Sequence, residues 1–307
     1  MITPGVFTGV GSLPFTSAKE AVEYVFQAYE IPFLPQLPQR SLQEHMVYQF
    51  LEDFPGFVLT PSQAFIDVEK FNPENLLNKK FSFSFYKALP LFIKKADSVP
   101  LIKLQITSPY TIANTLLCSD KQLLSDHPPL CAYLNEFLYY KVSVLLEKFR
   151  HQTLLVFFDE PMLTHRNSQE VLTVLNPLVR KLKNPTRFFG VHSCNQWSQK
   201  LFQDIFQSEF DMVNFDMKEV GEAIFEDLPS LFQFLKRGWI MWGGVGDDFI
   251  ERLKNKDLKR KEVFTILNRS LFSLACGTGK LSLEMEKQGV ESLKKITKEL
   301  KREIKVS

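Results

Sequence analysis

The sequence lacks the features that usually declare a function outright. It contains no CxxC pair and no HExxH run, so the most recognisable metal signatures are missing. Its 4 cysteines in 307 residues are too few for a disulfide scaffold. No apolar run is long enough to cross a bilayer, and Met1 to Pro14 have neither the charged head nor the apolar segment of a secretory signal. Both absences predict a cytoplasmic protein with no membrane association, in which Cys118, Cys131, Cys194 and Cys276 are reduced and free to bind metal. An excess of one charge is missing too. There are 37 Lys and Arg against 35 Asp and Glu, a net charge of +2, and the basic residues are dispersed except between Lys294 and Lys305. That pattern excludes a nucleic-acid footprint. No Pro/Ser-rich linker divides the chain, so residues 1–307 are expected to form one domain.

What is present is a regular alternation. Strand-like apolar runs at Val6 to Leu13, Ile31 to Leu37, Leu101 to Ile106, Thr153 to Phe158, Arg187 to Val191, Asp211 to Phe215, Trp239 to Trp242 and before Cys276 are separated by longer helical patterns. Ser17 followed by Glu20 reads as a helix-opening capping box. Helices are expected over Ser41 to Phe54, Phe83 to Lys95, Tyr133 to Phe149, Gln169 to Leu182, Trp197 to Phe206, Glu222 to Leu235, from Lys261, and over Leu281 to Ile304. The last shows Leu293, Ile296, Leu300 and Ile304 at helical spacing on a charged background. The stretch from Phe57 to Asn78 is a long excursion, of the kind that often carries function. Eight strand–helix units in this length predict an α/β fold, a (β/α)8 TIM barrel, with its active site at the C-terminal strand ends.

The polar clusters sit at those ends. In an extended strand, residues two apart share a face, so His192 and Cys194 emerge on one side as half of a tetrahedral zinc site. Asp216, closing Val213-Asn214-Phe215-Asp216, and Cys276, followed by Gly277, end two later strand-like runs and can supply the other half. Asp159-Glu160-Pro161 ends another. Gly243-Gly244-Val245-Gly246 reads as a tight turn. His45, His127, His151 and His165 lack paired ligands, and Cys118 and Cys131 read as core or surface thiols.

These residues resemble the catalytic barrel of the cobalamin-independent methionine synthases, within the superfamily that includes uroporphyrinogen decarboxylase and corrinoid-linked methyltransferases. The resemblance spans nearly the whole chain. It implies a zinc ion held by His192, Cys194, Asp216 and Cys276, an amino-acid carboxylate cradled at Gly11 and Ser12, and the Asp159-Glu160-Pro161 motif as catalytic machinery, with Asp159 on the substrate amino group. The acidic ligand of the family is usually Glu, one methylene longer than Asp216. The family's substrate-binding Glu falls on Tyr48 here, with Glu44 nearby to compensate. The family's additional N-terminal barrel, which helps bind folate, has no counterpart in this chain. The resemblance therefore implies a zinc-dependent methyltransferase acting on a homocysteine-like thiol, with a folate or a corrinoid protein as methyl donor. The alternatives are a corrinoid-linked methyltransferase acting on another thiol and a decarboxylase-type lyase. The lyase is disfavoured because its arginine-rich N-terminal motif is missing, Arg40 being the only arginine in the first hundred residues.

Overall fold

A computed structural model describes residues 2–306, with side chains described as far as residue 304. Two short strands, β1 (Phe57–Leu59) and β2 (Ala64–Ile66), form an antiparallel hairpin inside the expected excursion. The main sheet begins with β3 (Leu101–Thr107). A two-residue strand, β4 (Leu117–Cys118), then adds to β2 and completes a small three-stranded sheet. Five further strands follow: β5 (Thr153–Asp159), β6 (Arg187–Ser193), β7 (Met212–Asp216), β8 (Trp239–Gly243) and β9 (Ser270–Ser273). With β3 they make a six-stranded sheet of order β3-β5-β6-β7-β8-β9, parallel throughout. Parallel strands are covered on both faces, which explains why these segments read as nearly unbroken apolar runs.

Among the described residues the main sheet therefore has six regular strands, where the sequence predicts eight. Val6 to Leu13 and Ile31 to Leu37 pair only through isolated bridges: Phe7 to Phe272 of β9, Ser12 to Gln36, and Phe33 to Lys103 of β3. Ile31 N–H also donates to Phe7 O at 3.1 Å. These links join the two edges of the sheet and curl it. The physical reason for their irregularity is composition. Pro32 and Pro35 remove ladder donors from one stretch, and Gly9 and Gly11 weaken the other.

The curl separates two apolar layers. Leu155, Phe157, Met212, Met241 and Leu271 pack with Ile2, Ile31 and Trp239 as a small cluster, while the much larger cluster includes the opposite strand faces and the helices. Strand alternation assigns the small cluster to the concave face. The closing helix, Leu283–Val306, buries Val290, Leu293, Ile296 and Leu300, as its spacing predicts. The helix expected over Ser41 to Phe54 is replaced by a 3-10 turn at Leu42–Glu44 and a chain of tight turns reaching Phe54. No helix among the described residues is long and apolar enough to cross a membrane.

One close approach fixes a residue at the strand ends. A Cβ on Gly243 would lie 2.4 Å from Phe215 O and 3.1 Å from Leu274 O, both backbone atoms that cannot rotate away. Gly243→Ala is expected to destabilise the fold by about 1–3 kcal/mol, seen as a lower urea midpoint at unchanged slope. An unchanged midpoint would show that this strand junction is loose.

Candidate metal centre

Parallel register sets up the site. Thr107, Asp159, His192, Asn214, Met241 and Leu271 are consecutive partners across the sheet, so they form one row around its concave face. Their side chains lie two residues beyond the apolar floor made by Phe157 and Met212. The row turns polar at Asp159, His192 and Asn214. Asn214 is consumed structurally: its amide donates to Met241 O at 2.8 Å and Ser273 Oγ at 3.0 Å.

His192 faces two thiols. Its Nε2 lies 3.1 Å from Cys194 Sγ, and the donor atoms of His192, Cys194 and Cys276 all lie within 4.8 Å of one another. Cys276 arrives from the loop after β9, eighty-two residues downstream of Cys194. The group shares its protons unequally. Hydrogen bonds from Cys194 and His192 hold the Cys276 thiol far below its ordinary range, while the Cys194 thiol, donating to Cys276 and buried, is pushed up. His192 Nδ1 is buried with no hydrogen-bond partner.

This donor set fits a zinc-class ion. One imidazole and two thiols are its preferred ligands, and bonds of about 2.0–2.3 Å need donor atoms gathered on this scale. Asp216 does not join the three. Its Oδ1 accepts from Lys218 N–H at 2.9 Å and caps the short helix Met217–Val220. Its charge still reaches the thiols, adding a minor upward contribution at Cys194.

The three donors open into a cavity of about 540 Å³ that is also lined by Ser12, Glu44 and Asp159. Asp159 is buried, with Oδ1 unpartnered. Burial raises its pKa to about 6, against the opposing pull of His192 and Lys103. Glu160, next along the chain, is not part of the lining. Its Oε1 accepts from Met162 N–H at 3.0 Å and from the Thr111 hydroxyl. Ser12 is tied to the Cys276 loop: its Oγ accepts from Gly279 N–H at 3.2 Å and its carbonyl from Thr278 N–H at 2.9 Å. Gly277 makes this possible, since a Cβ there would fall 2.2 Å from Ser12 Oγ. Gly11 plays a similar part behind the wall, where its missing side chain admits Gln105.

Sequence comparison with protein families and with curated proteins finds no match. Comparison of structures does. A B12-independent methionine synthase from Shewanella sp. W3-18-1, solved in complex with selenomethionine, aligns over 99% of this chain and 100% of its own, at 15% identity and a TM-score of 0.66. The chain shares the fold of that methionine synthase. A methylaspartate ammonia lyase from Citrobacter amalonaticus, solved with (2S,3S)-3-methylaspartic acid, aligns over 99% of this chain and 61% of its own at 13% identity and a TM-score of 0.49.

Within this methionine synthase fold, two polar residues stand out that sequence reading did not rank. Lys103 is fully buried on β3. Its Nζ donates to Val10 O at 2.5 Å and to Gln105 Oε1 at 3.3 Å, and faces the Phe157 ring at 5.0 Å. Burial lowers its pKa to about 8, and Asp159 pulls the other way. The available signal was Lys103, Gln105 and Thr107 alternating within an apolar strand, which is the period of a polar inner face. Gln36, also lining the cavity, donates to Gln49 Oε1 at 2.9 Å.

Glu44 is the more deeply buried of the two carboxylates that line the cavity. Only 1% exposed, it accepts no hydrogen bond on either oxygen and is held by an ion pair with Arg40 at 3.5 Å. Burial raises its pKa from 4.5 to about 7. Because the folded value exceeds the unfolded one, the charged form costs stability. The cost grows as pH rises from about 4.5 to about 7 and is complete above that. Glu44→Gln is expected to flatten this part of the stability–pH curve in urea titrations. An unaltered slope would mean that Glu44 is solvated in solution.

Proposed function

We propose that this chain transfers a methyl group to the sulfur of a homocysteine-like amino acid, with zinc as its metal. The observation that carries the reading is the meeting of His192, Cys194 and Cys276 in one cavity with two buried carboxylates, Asp159 and Glu44. Soft donors select a metal that binds sulfur, and buried carboxylates select a cation such as an ammonium group. An amino acid bearing a thiol satisfies both. The same reading takes the two bridging segments at the sheet edges as the first strands of an eightfold barrel.

A free thiol of pKa about 8.5 is mostly protonated at neutral pH and is then a poor nucleophile. His192, Cys194 and Cys276 would hold the zinc, whose Lewis acidity would favour the thiolate form of a substrate. The chain does the rest by positioning. Asp159, next to His192 in register, and Glu44, on the neighbouring wall, hold the ammonium end and fix the sulfur's direction of attack. The Ser12 turn, locked to the Cys276 loop, presents the carboxylate end. Leu274, Ala275 and Met285 line the wall and exclude water from the reacting sulfur. Asp216 supports the site as a helix cap rather than as a ligand, and Glu160 braces the Asp159 strand end from behind. A decarboxylase acting on a polycarboxylate needs several cations, and among the described residues Lys280 is the only Lys or Arg in the lining.

The test is a methyl-transfer assay on zinc-loaded protein with homocysteine and either methyltetrahydrofolate or methylcobalamin, with methionine measured by mass spectrometry. Methionine formed with one donor supports the reading and identifies the donor class. No methyl transfer to homocysteine from either would overturn it.

A further inference from the structure

We infer that a second, separate metal site lies on the small sheet, where Cys118, Asp120 and His127 take one zinc-class divalent cation. None of the three lines the cavity. Their sulfur, oxygen and nitrogen donors all lie within 4.8 Å of one another. Three different donor types gathered on this scale suit a tetrahedral borderline-soft ion better than a hard one.

Local structure gathers the three donors at the surface end of β4, Cys118 buried, His127 half-buried and Asp120 exposed. Cys118 ends β4 and is 3% exposed, and among the described residues its thiol makes no hydrogen bond. The chain then turns through Lys121, whose φ of 68° is unusual for a side chain of that size, with Lys121 N–H bonded to Cys118 O at 2.9 Å. The turn brings Asp120 back over Cys118. Asp120 Oδ1 accepts from Gln122 N–H at 3.1 Å, which leaves Oδ2 for another partner. His127 stands at the start of helix Pro128–Glu147, its backbone held by Leu124 O at 3.0 Å.

The decisive feature is an imperfect pair. His127 Nε2 stands 3.2 Å from Asp120 Oδ2 at ion-pair distance, yet this nitrogen, itself out of solvent, makes no hydrogen bond of acceptable geometry. A cation seated between Asp120 Oδ2 and His127 Nε2 would give that nitrogen the partner it lacks. The Cys118 thiol is the third donor around that point. Cys131, one turn further along the helix, is engaged elsewhere, its thiol donating to Leu124 O at 3.2 Å. A cation here would fasten the end of β4 to the start of the long helix.

The test uses full-length protein carrying Cys276→Ser, so that the cavity centre is weakened, stripped with a chelator and titrated with Co2+. The expected result is one tight equivalent with thiolate-to-cobalt absorption in the near ultraviolet. Adding Cys118→Ser should remove that absorption and weaken binding more than tenfold. His127→Gln should weaken binding to a similar degree while keeping the thiolate, so it decides the matter if the serine variant folds poorly by circular dichroism. Unchanged stoichiometry and absorption in both variants would overturn the site, as would the absence of any tight equivalent in the Cys276→Ser protein. These readouts do not depend on methyl transfer, so the two proposals fail separately.

Discussion

Cys276→Ser is expected to lower methyl transfer by at least about a thousandfold, equivalent to about 4 kcal/mol of transition-state stabilisation, and to leave the cavity centre short of zinc. Serine replaces a soft, readily ionised donor by a hydroxyl that keeps its proton near neutral pH, so one of the three gathered ligands is lost. The fold should survive, because Cys276 lies in the loop beyond β9 and outside both apolar clusters. Zinc content after dialysis and methionine formation measure the two effects together. Wild-type turnover in a variant depleted of zinc would remove the metal from the mechanism.

Asp159→Asn is the second large effect. A buried carboxylate bonded to an ammonium group contributes about 1.5–3 kcal/mol, so the variant should lose roughly ten- to a hundredfold in kcat/KM for homocysteine. The loss should be selective: a thiol acceptor without the amino group should react nearly equally with both proteins. Equal losses for the two acceptors would show that Asp159 acts on the fold or on the metal centre instead. Stability should move the other way. The folded pKa is raised from 3.8 to about 6, so ionisation costs stability above that range, and asparagine removes the cost. Thermal unfolding at pH 8 should find the variant no less stable than the wild type.

Much of this site was legible in the residue order. A strand places His192 and Cys194 on one side because its side chains alternate, and Cys194 follows β6 directly, so a two-residue spacing was enough to pair them. The apolar runs of β5, β6 and β8 were legible for the same local reason. Irregular backbone was not. Ser41 to Phe54 has a helical apolar pattern, yet it folds as tight turns that bury Glu44, because packing beneath Phe50, Leu51 and Phe54 outweighs local propensity.

Ligand types, their pairing two residues apart and the alternation of strand with helix follow from short-range periodicity, and the sequence alone determined them. Tertiary structure decided the rest. Sheet register set Asp159 beside His192, the loop after β9 delivered Cys276, a helix cap engaged one oxygen of Asp216, and a turn through Lys121 drew Cys118, Asp120 and His127 together. The physical reason is range. Side-chain direction is fixed within a few residues, whereas which strand ends share a cavity depends on contacts between segments far apart in the chain, and no local pattern encodes those contacts.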